Sequence, residues 1–272
     1  MSELLLEIFS EEIPSRFQNQ AADDLERLIL NYFKLAELGY ENASAFSTPR
    51  RITLVVSGIA KEIPAKTEER RGPRVGSPQK AVDGFLRSIG QSKNGLIIKK
   101  DKNGEFYYGL IDKPSKPSIE VISENITKVI NAFPWEKSMK WGTSNFRWVR
   151  PIHSIACILS NSDGFEIVDL SINGIVANNI TYGHRFLSPD PLVITSFDDY
   201  CTKLKGAKVI LDRKLRSEKI LNDATKLASS HGLELIQDKK LLEEIVGLVE
   251  WPVVLMGSIE SRFLGLPMEV LQ

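Results

Sequence analysis

"LLLEIFSEEIP", Leu4–Pro14, joins a nearly continuous apolar run to a proline-marked turn. Leu4–Phe9 reads as a buried first strand, because an apolar run this short suits a strand better than a helix. Pro14 or Ser15 then opens a long helix, with Phe17, Ala21, Leu25, Leu28, Ile29 and Tyr32 on one stripe and Gly39 at its end. After "TPRR" (Thr48–Arg51), the β-branched run Ile52–Ile59 reads as another strand.

Further along, Lys61–Gln79 reads as a basic linker broken by prolines and glycines. A short amphipathic helix follows, with Ser77 as its N-cap and Ala81, Val82, Phe85, Leu86 and Ile89 on its buried side. "LIIKK" and "EFYYGLID" form a hairpin about Asn103-Gly104. "KPSKPS" (Lys113–Ser118) is the clearest break, which divides the chain into an N-terminal α+β domain, 1–114, and a second α+β region, 118–272, or joins both as one composite domain. Beyond it lie a helix ending at Pro134 and strands at Ile152–Leu159 and Phe165–Ile172. Helices are expected after Ser196, Asp212 and Asp238, with Gly232 closing the second, followed by a buried strand "WPVVLMGSI". The closing "LPMEVLQ" reads as the first turn of an unfinished helix, so the chain is expected to be truncated there.

Bulk composition narrows the function classes. Hydrophobic residues make up 42% and charged residues 26% of 272 positions, as in a soluble protein. Lys plus Arg equals Asp plus Glu at 35 each, so a nucleic-acid site must be a local patch: Arg50–Arg51, Arg70–Arg74 or Lys137–Arg150. Cys157 and Cys201 lack a CxxC pattern, which suits a reducing cytoplasm and argues against zinc. The acidic N-terminus is no signal peptide, and no apolar run is long enough for a membrane span.

One local stretch stands out. "WEKSMKWGTSNFRWVRPIHS" (Trp135–Ser154) packs three of four tryptophans among Lys137, Lys140, Arg147, Arg150 and His153. Nucleic acid offers bases that stack on rings and phosphates that pair with cations. A neighbouring subunit is the other candidate, since Trp and Arg dominate interface hot spots. The plain alternative makes the tryptophans core anchors; Trp148 is expected to be buried and Trp141 exposed. "GHRF" (Gly183–Phe186) adds His184 and Arg185, with Gly183 allowing a sharp turn and Phe186 and Leu187 anchoring it. The histidines stand singly, no phosphate loop or dinucleotide fingerprint occurs, and no nucleophile with its base can be assembled. Catalytic and metal residues are therefore assigned to none.

Taken together, these motifs resemble the β subunit family of the bacterial heterotetrameric glycyl-tRNA synthetase. "LLLEIFSEEIP" (the family favours LLLEIGTEELP), "TPRR", "KSMKWG", "RWVRPIH", "GHRFL", "DDY", "GLVEWPV" and "FLGLPMEVL" stand in the family's order across the chain. The resemblance implies an N-terminal portion of a longer subunit with an α+β fold, mixed sheets with packed helices, similar to the B3/B4 module of phenylalanyl-tRNA synthetase β chains. It implies an α2β2 assembly in which the α subunit activates glycine with ATP and Mg, while this portion binds no cofactor itself and contacts tRNA(Gly) and α. Arg50, Arg51, Lys137, Lys140, Trp141, Arg147, Arg150, His153, His184 and Arg185 are the candidate tRNA- or subunit-binding residues. A tRNA-deacylating domain and a non-catalytic scaffold are the alternatives.

Overall fold

The computed structural model describes every residue except Gln91, Lys93, Asn94, Asn103, Leu264 and 268–272. The chain runs β1 (Ser2–Ser10), α1 (Ser15–Leu35), β2 (Asn42–Thr48), β3 (Arg51–Ile59), β4 (Glu62–Ile63), β5 (Lys66–Arg74), α2 (Gln79–Ile89), β6 (Ile97–Asp101), β7 (Gly104–Lys113), β8 (Lys116–Pro117) and α3 (Ser118–Asn131). There follow β9 (Ile152–Asn161), β10 (Gly164–Ile167), β11 (Ser171–Ile172), β12 (Ile175–Val176), β13 (Ile180–Tyr182), β14 (Pro191–Val193), α4 (Phe197–Gly206), α5 (Arg213–Ser230) and α6 (Lys239–Val246). This is a mixed α+β fold, and its strands pair antiparallel.

Two compact units emerge: Met1–Lys61 with Ile119–Gln272, and Glu62–Ser118. This division differs from 1–114 and 118–272. The reason is sheet pairing: β1 lies between β3 and β9, so the first sixty residues fold with the part of the chain beyond residue 118.

The larger unit is organised on a sheet of order β10-β9-β1-β3-β2. Strand β1 is the middle strand, and Leu4 to Ser10 are buried without interruption, as expected of a strand covered on both faces. Side-chain alternation sorts its residues. Leu4, Leu6 and Ile8 share a face with their partners Val56, Leu54 and Ile52, and that face is apolar. The opposite face carries Leu5, Glu7 and Phe9 with Val55, Thr53 and Arg51. On that second face Leu5, Ala156 and Ile158 pack against Ile194, Val209 and the α4 residues Tyr200 and Leu204. Helix α1 lies against β2 and β3. Its buried stripe is Phe17, Ala21, Leu25, Ile29 and Phe33, with Leu28 and Tyr32 only half-buried.

Several sequence expectations are revised. Helix α1 stops at Leu35 rather than at Gly39: Glu37 adopts φ 58°, and the Leu38 amide reaches back to the Phe33 carbonyl at 2.9 Å. Burial of Leu38 completes this left-handed cap. "WPVVLMGSI" is no strand; Val253 and Leu255 are 67% and 83% exposed, because β-forming composition makes a strand only where a partner edge exists. Strand β2, "NASAFST", was not foreseen; it is short and only partly apolar. Asp212 and Asp238 cap α5 and α6 as expected, and Ser196 accepts from the Asp199 amide at 3.1 Å.

The tryptophan-rich stretch forms a clasp. Met139 and Trp148 exchange backbone hydrogen bonds of 2.8 and 3.3 Å, and Arg147 latches the two sides by donating to the Ser138 hydroxyl and carbonyl at 3.0 and 2.9 Å. Trp148 is fully buried among Phe133, Trp135 and Phe146, whose ring centres lie 4.9, 5.0 and 6.2 Å away. Trp141 is half-buried, edge-on to Phe146 at 5.7 Å.

The smaller unit contains the three-stranded sheet β5-β7-β6, the short pair β4-β8 and helix α2. Lys61–Gln79 is therefore not a linker. Its central part, Lys66–Arg74, is the edge strand β5, which tolerates Pro73 because the register shifts between Arg71 and Arg74. Helix α2 begins after Pro78 with no side-chain cap, so Ser77 does not serve as one. Only Val82 and Ile89 of its expected face are buried; Phe85 and Leu86 are half-buried and Ala81 is exposed. The hairpin β6-β7 is present, though Asn103 of its turn and most of the expected C-terminal helical turn lie outside the described residues.

The clasp generates a test. Trp148→Ala is expected to cost about 3–5 kcal/mol of stability, as other buried tryptophans do. Trp141→Ala should cost well under half of that. Paired urea melts check it, and equal losses would show that the clasp has no centre.

Candidate functional site

The site begins with the tight link between β2 and β3. Thr48 pairs with Arg51, so Pro49 and Arg50 are the two turn residues. Arg50 belongs to the turn while Arg51 opens β3, and the two arginines diverge. Arg51 points inward beside Glu7; Arg50 stays at the rim.

Arg51 is completely buried and is held by four partners. Its Nε donates to Glu250 at 3.0 Å, Nη1 donates to Glu7 at 3.0 Å and Thr181 at 3.2 Å, and Nη2 donates to the Tyr182 carbonyl at 3.0 Å. Glu7 is also completed by Thr181 at 2.6 Å and the Tyr200 hydroxyl at 2.5 Å, and Glu250 by Thr48 at 2.6 Å. Burial alone would weaken the guanidinium's hold on its proton; Glu250 and Glu7 outweigh that and raise its pKa. Burial and the neighbouring Glu7 push the Tyr200 phenol well up, so it stays a donor. Arg51 therefore does not reach the surface. Its charge acts inside the protein.

Outside this network the side chains form an accessible cluster. Arg50 lies over the Phe9 ring at 4.5 Å, and Tyr182 stacks on Phe9 at 5.3 Å. Glu11 accepts from Arg185 Nη2 at 2.7 Å and lies 2.7 Å from His153 Nε2, while Arg185 Nη1 donates to Glu12 at 3.4 Å. The His153 bond, with help from Arg185, holds the Glu11 carboxyl below its usual range against the opposing effect of burial. Arg50 is lowered, first by burial and then by Arg185, and its buried Nε has no partner among the described residues. A cleft of about 170 Å³ is lined by Arg50, His184, Arg185, Phe186, Leu248 and Trp251. Larger, more open grooves, one of about 750 Å³ along Ala43–Ser47, are lined by none of the candidate residues.

The structure thus brings Arg50, His153, His184 and Arg185 together. Lys137, Lys140, Trp141 and Arg147 belong to the clasp, where Lys140 donates to Asn145 at 2.9 Å, and Arg150 folds back on the Val149 carbonyl at 2.9 Å. His184 has a local role, since its Nδ1 accepts from the Phe186 and Leu187 amides at 3.3 and 3.2 Å, which places its proton on Nε2. Phe186 and Leu187 do not anchor this turn; they are 80% and 57% exposed. Gly183 matters through contact rather than through an unusual φ, since a Cβ there would come within 2.4 Å of the Ser188 carbonyl oxygen. Glu7, Glu11, Glu250 and Tyr200 were missed. A lone acid inside "LLLEIF" was a legible signal, because a buried carboxylate requires a partner.

Cys157 is buried, which raises its thiol pKa, and burial pushes Cys201 up to about 11, so neither is a ready nucleophile. Among the described residues no three His, Cys, Asp or Glu side chains are grouped to hold a metal.

Two contrasting losses are expected. Arg51→Ala strands two buried carboxylates and should cost about 3–5 kcal/mol. Arg185→Ala, a 37% exposed pair member, should cost about 0–1 kcal/mol. Chemical melts of both variants test this, and a mild Arg51→Ala would remove the network from its central role.

Comparison with known proteins places the chain. A family model described as "Glycyl-tRNA synthetase beta subunit" matches residues 4–272. The "Glycine--tRNA ligase beta subunit" of Paracoccus denitrificans is 47% identical over 272 residues, which is 100% of this chain and 40% of that protein. The proteins of the same name from Ruegeria sp. and Dinoroseobacter shibae are each 48% identical over 100% of this chain, and 40% and 38% of their own lengths. The chain thus spans about two-fifths of the curated relatives it matches. With the match running through β1, the clasp and the arginine cleft alike, the chain belongs to the glycyl-tRNA synthetase beta subunit family.

Proposed function

We propose that the chain serves as the N-terminal portion of the β subunit of a heterotetrameric, α2β2 glycine–tRNA ligase in the cytoplasm. It supports ATP-dependent attachment of glycine to tRNA(Gly) by contacting tRNA and the α subunit, while α supplies the ATP and Mg chemistry. The family match over 4–272 supports the ligase assignment. Among the described residues no helix is long and apolar enough to cross a membrane.

One observation carries the mode of action. Arg50 and Arg185 face one small cleft, where burial first and then the charge of Arg185 make Arg50 easier to deprotonate. Glu11 already balances Arg185, so Arg50 is the guanidinium that an anionic partner group would pair. A phosphate or a carboxylate fits the fork geometry of arginine, which lysine does not reproduce. Exposed Phe186 and Leu248 flank the cations, so the cleft suits a partner with apolar surface beside its anion.

In the assembled α–β enzyme, Arg185→Lys and Arg185→Ala are both expected to lower glycylation about ten-fold or more, the scale of a lost charge-assisted hydrogen bond. Melting temperatures should barely move. Aminoacylation by the double variant Arg50→Ala/Arg185→Ala at the unmodified rate would remove the cleft from the function. The chain alone should show no glycine-dependent ATP–pyrophosphate exchange, and exchange in a preparation free of α would overturn the division of labour.

A further inference from the structure

The balanced charge of the chain hides an uneven distribution. Residues 62–118 carry twelve Lys and Arg against seven Asp and Glu, a net charge of +5; the other 215 residues carry twenty-three against twenty-eight. The compact unit Glu62–Ser118 is therefore a small cationic body.

Its sheet has two unlike faces. In β7 neighbouring side chains point to opposite sides, and directly paired residues share a side. Tyr107 and Gly109 share one face with their partners Ile98 and Arg70. Helix α2 covers that face: Phe85 sits so close over Gly72, at the bulge opposite Tyr107, that a Cβ there would come within 2.4 Å of its ring. Phe106 and Tyr108 lie on the other face, with Ile97 and Lys99 of β6 and Arg71 and Arg74 of β5 as their direct partners. There the Arg71 guanidinium lies 3.7 Å from the Phe106 ring centre, and Lys99 Nζ 5.6 Å from that of Tyr108. Glu69, which pairs with Leu110 across the strands, lies on this face and forms an ion pair with Lys99.

We propose that this Phe106–Tyr108 face binds a single-stranded segment of nucleic acid. Rings two residues apart on one strand stand about 7 Å from each other, within reach of successive bases of an extended strand. Cations beside the rings meet the phosphates between those bases, and guanidinium planes themselves stack on bases. A duplex hides its base faces and gains only the charge attraction. An acidic protein would use the charge and leave the paired aromatics without a role. The proposal rests on the tRNA contact proposed above and deepens it, at a face distinct from the cleft at Arg50 and Arg185.

The test is fluorescence anisotropy on the full chain with a labelled single-stranded RNA oligonucleotide, a duplex of equal length and heparin, across a salt series. The single strand should bind most tightly. Phe106→Leu/Tyr108→Leu should weaken it about ten-fold or more, in line with the loss of base stacking. Lys99→Gln should flatten the log–log salt slope by about 0.7 for one lost phosphate contact. Equal binding of duplex or heparin would overturn the proposal, as would single-strand binding unchanged by the leucine pair or weakened instead by Arg50→Ala. Should the leucine pair melt early, photocrosslinking of 4-thiouridine RNA to the unmodified chain decides: adducts on β6 or β7 support the face, and adducts confined elsewhere reject it.

Discussion

A single buried guanidinium ties the larger unit together. Arg51 links β1 through Glu7, β13 through Thr181 and Tyr182, and the segment after α6 through Glu250. Those groups are 44, 130, 131 and 199 residues away from it in sequence. Hydrophobic contact is non-directional and would tolerate these segments in several registers. A fork of N–H donors facing fixed acceptors is directional, and leaving either carboxylate unpaired in this interior is costly. The network thus selects one arrangement of strands that the apolar core would hold together less specifically.

Arg216 extends the same logic without a counter-ion. It is fully buried on α5 and donates to the carbonyls of Ser47, Ile210, Leu211 and Val246, at 2.8, 2.6, 2.8 and 3.3 Å. Burial, then the nearby Arg213, lowers its pKa to about 10, which still leaves it charged at neutral pH. Four carbonyl dipoles take the place of a carboxylate, and they come from β2, from the link before α5 and from the end of α6. Gln18 makes a parallel tie, donating to the Gly247 carbonyl at 2.6 Å. Gly247 itself approaches Ser15 so closely that a Cβ would sit 2.0 Å from the serine oxygen.

Legibility in the sequence followed how local each cause was. Strand β1, helix α1 and the capped helices α4 to α6 were readable, because periodicity and caps are written within a few residues. Strand β5 was not, since its Pro and Gly look like breakers until a partner strand and a bulge are supplied. "WPVVLMGSI" failed in the opposite direction: its composition suits a strand that no edge receives. Within the site, residue types were legible and directions were not. Arg50 and Arg51 look equivalent in "TPRR", and only the turn between β2 and β3 shows that one faces the core. Glu11 was passed over because an acid after a strand looks like ordinary solvated surface, yet it joins His153 to Arg185.

The accessible cleft derives its geometry from the network buried beneath it. Glu250 is fixed from inside by Arg51 and Thr48, and its carbonyl accepts the Ile210 amide at 2.9 Å, so its neighbours Leu248 and Trp251 are held at the rim. Phe9 follows Glu7 and Ile8 in β1, and its ring supports both Arg50 and Arg51, at 4.5 and 5.0 Å. Thr181 and Tyr182 are bound to Arg51, which positions the turn beginning at Gly183 and with it His184 and Arg185. Each accessible group is therefore one or a few residues along the chain from a member of the buried network. A change at Arg51 would displace Arg50, Arg185 and the apolar rim together, whereas a change at Arg185 removes one charge from an intact cleft. The buried pair and the surface cations are one device read at two depths, and only the outer layer is free to meet a partner.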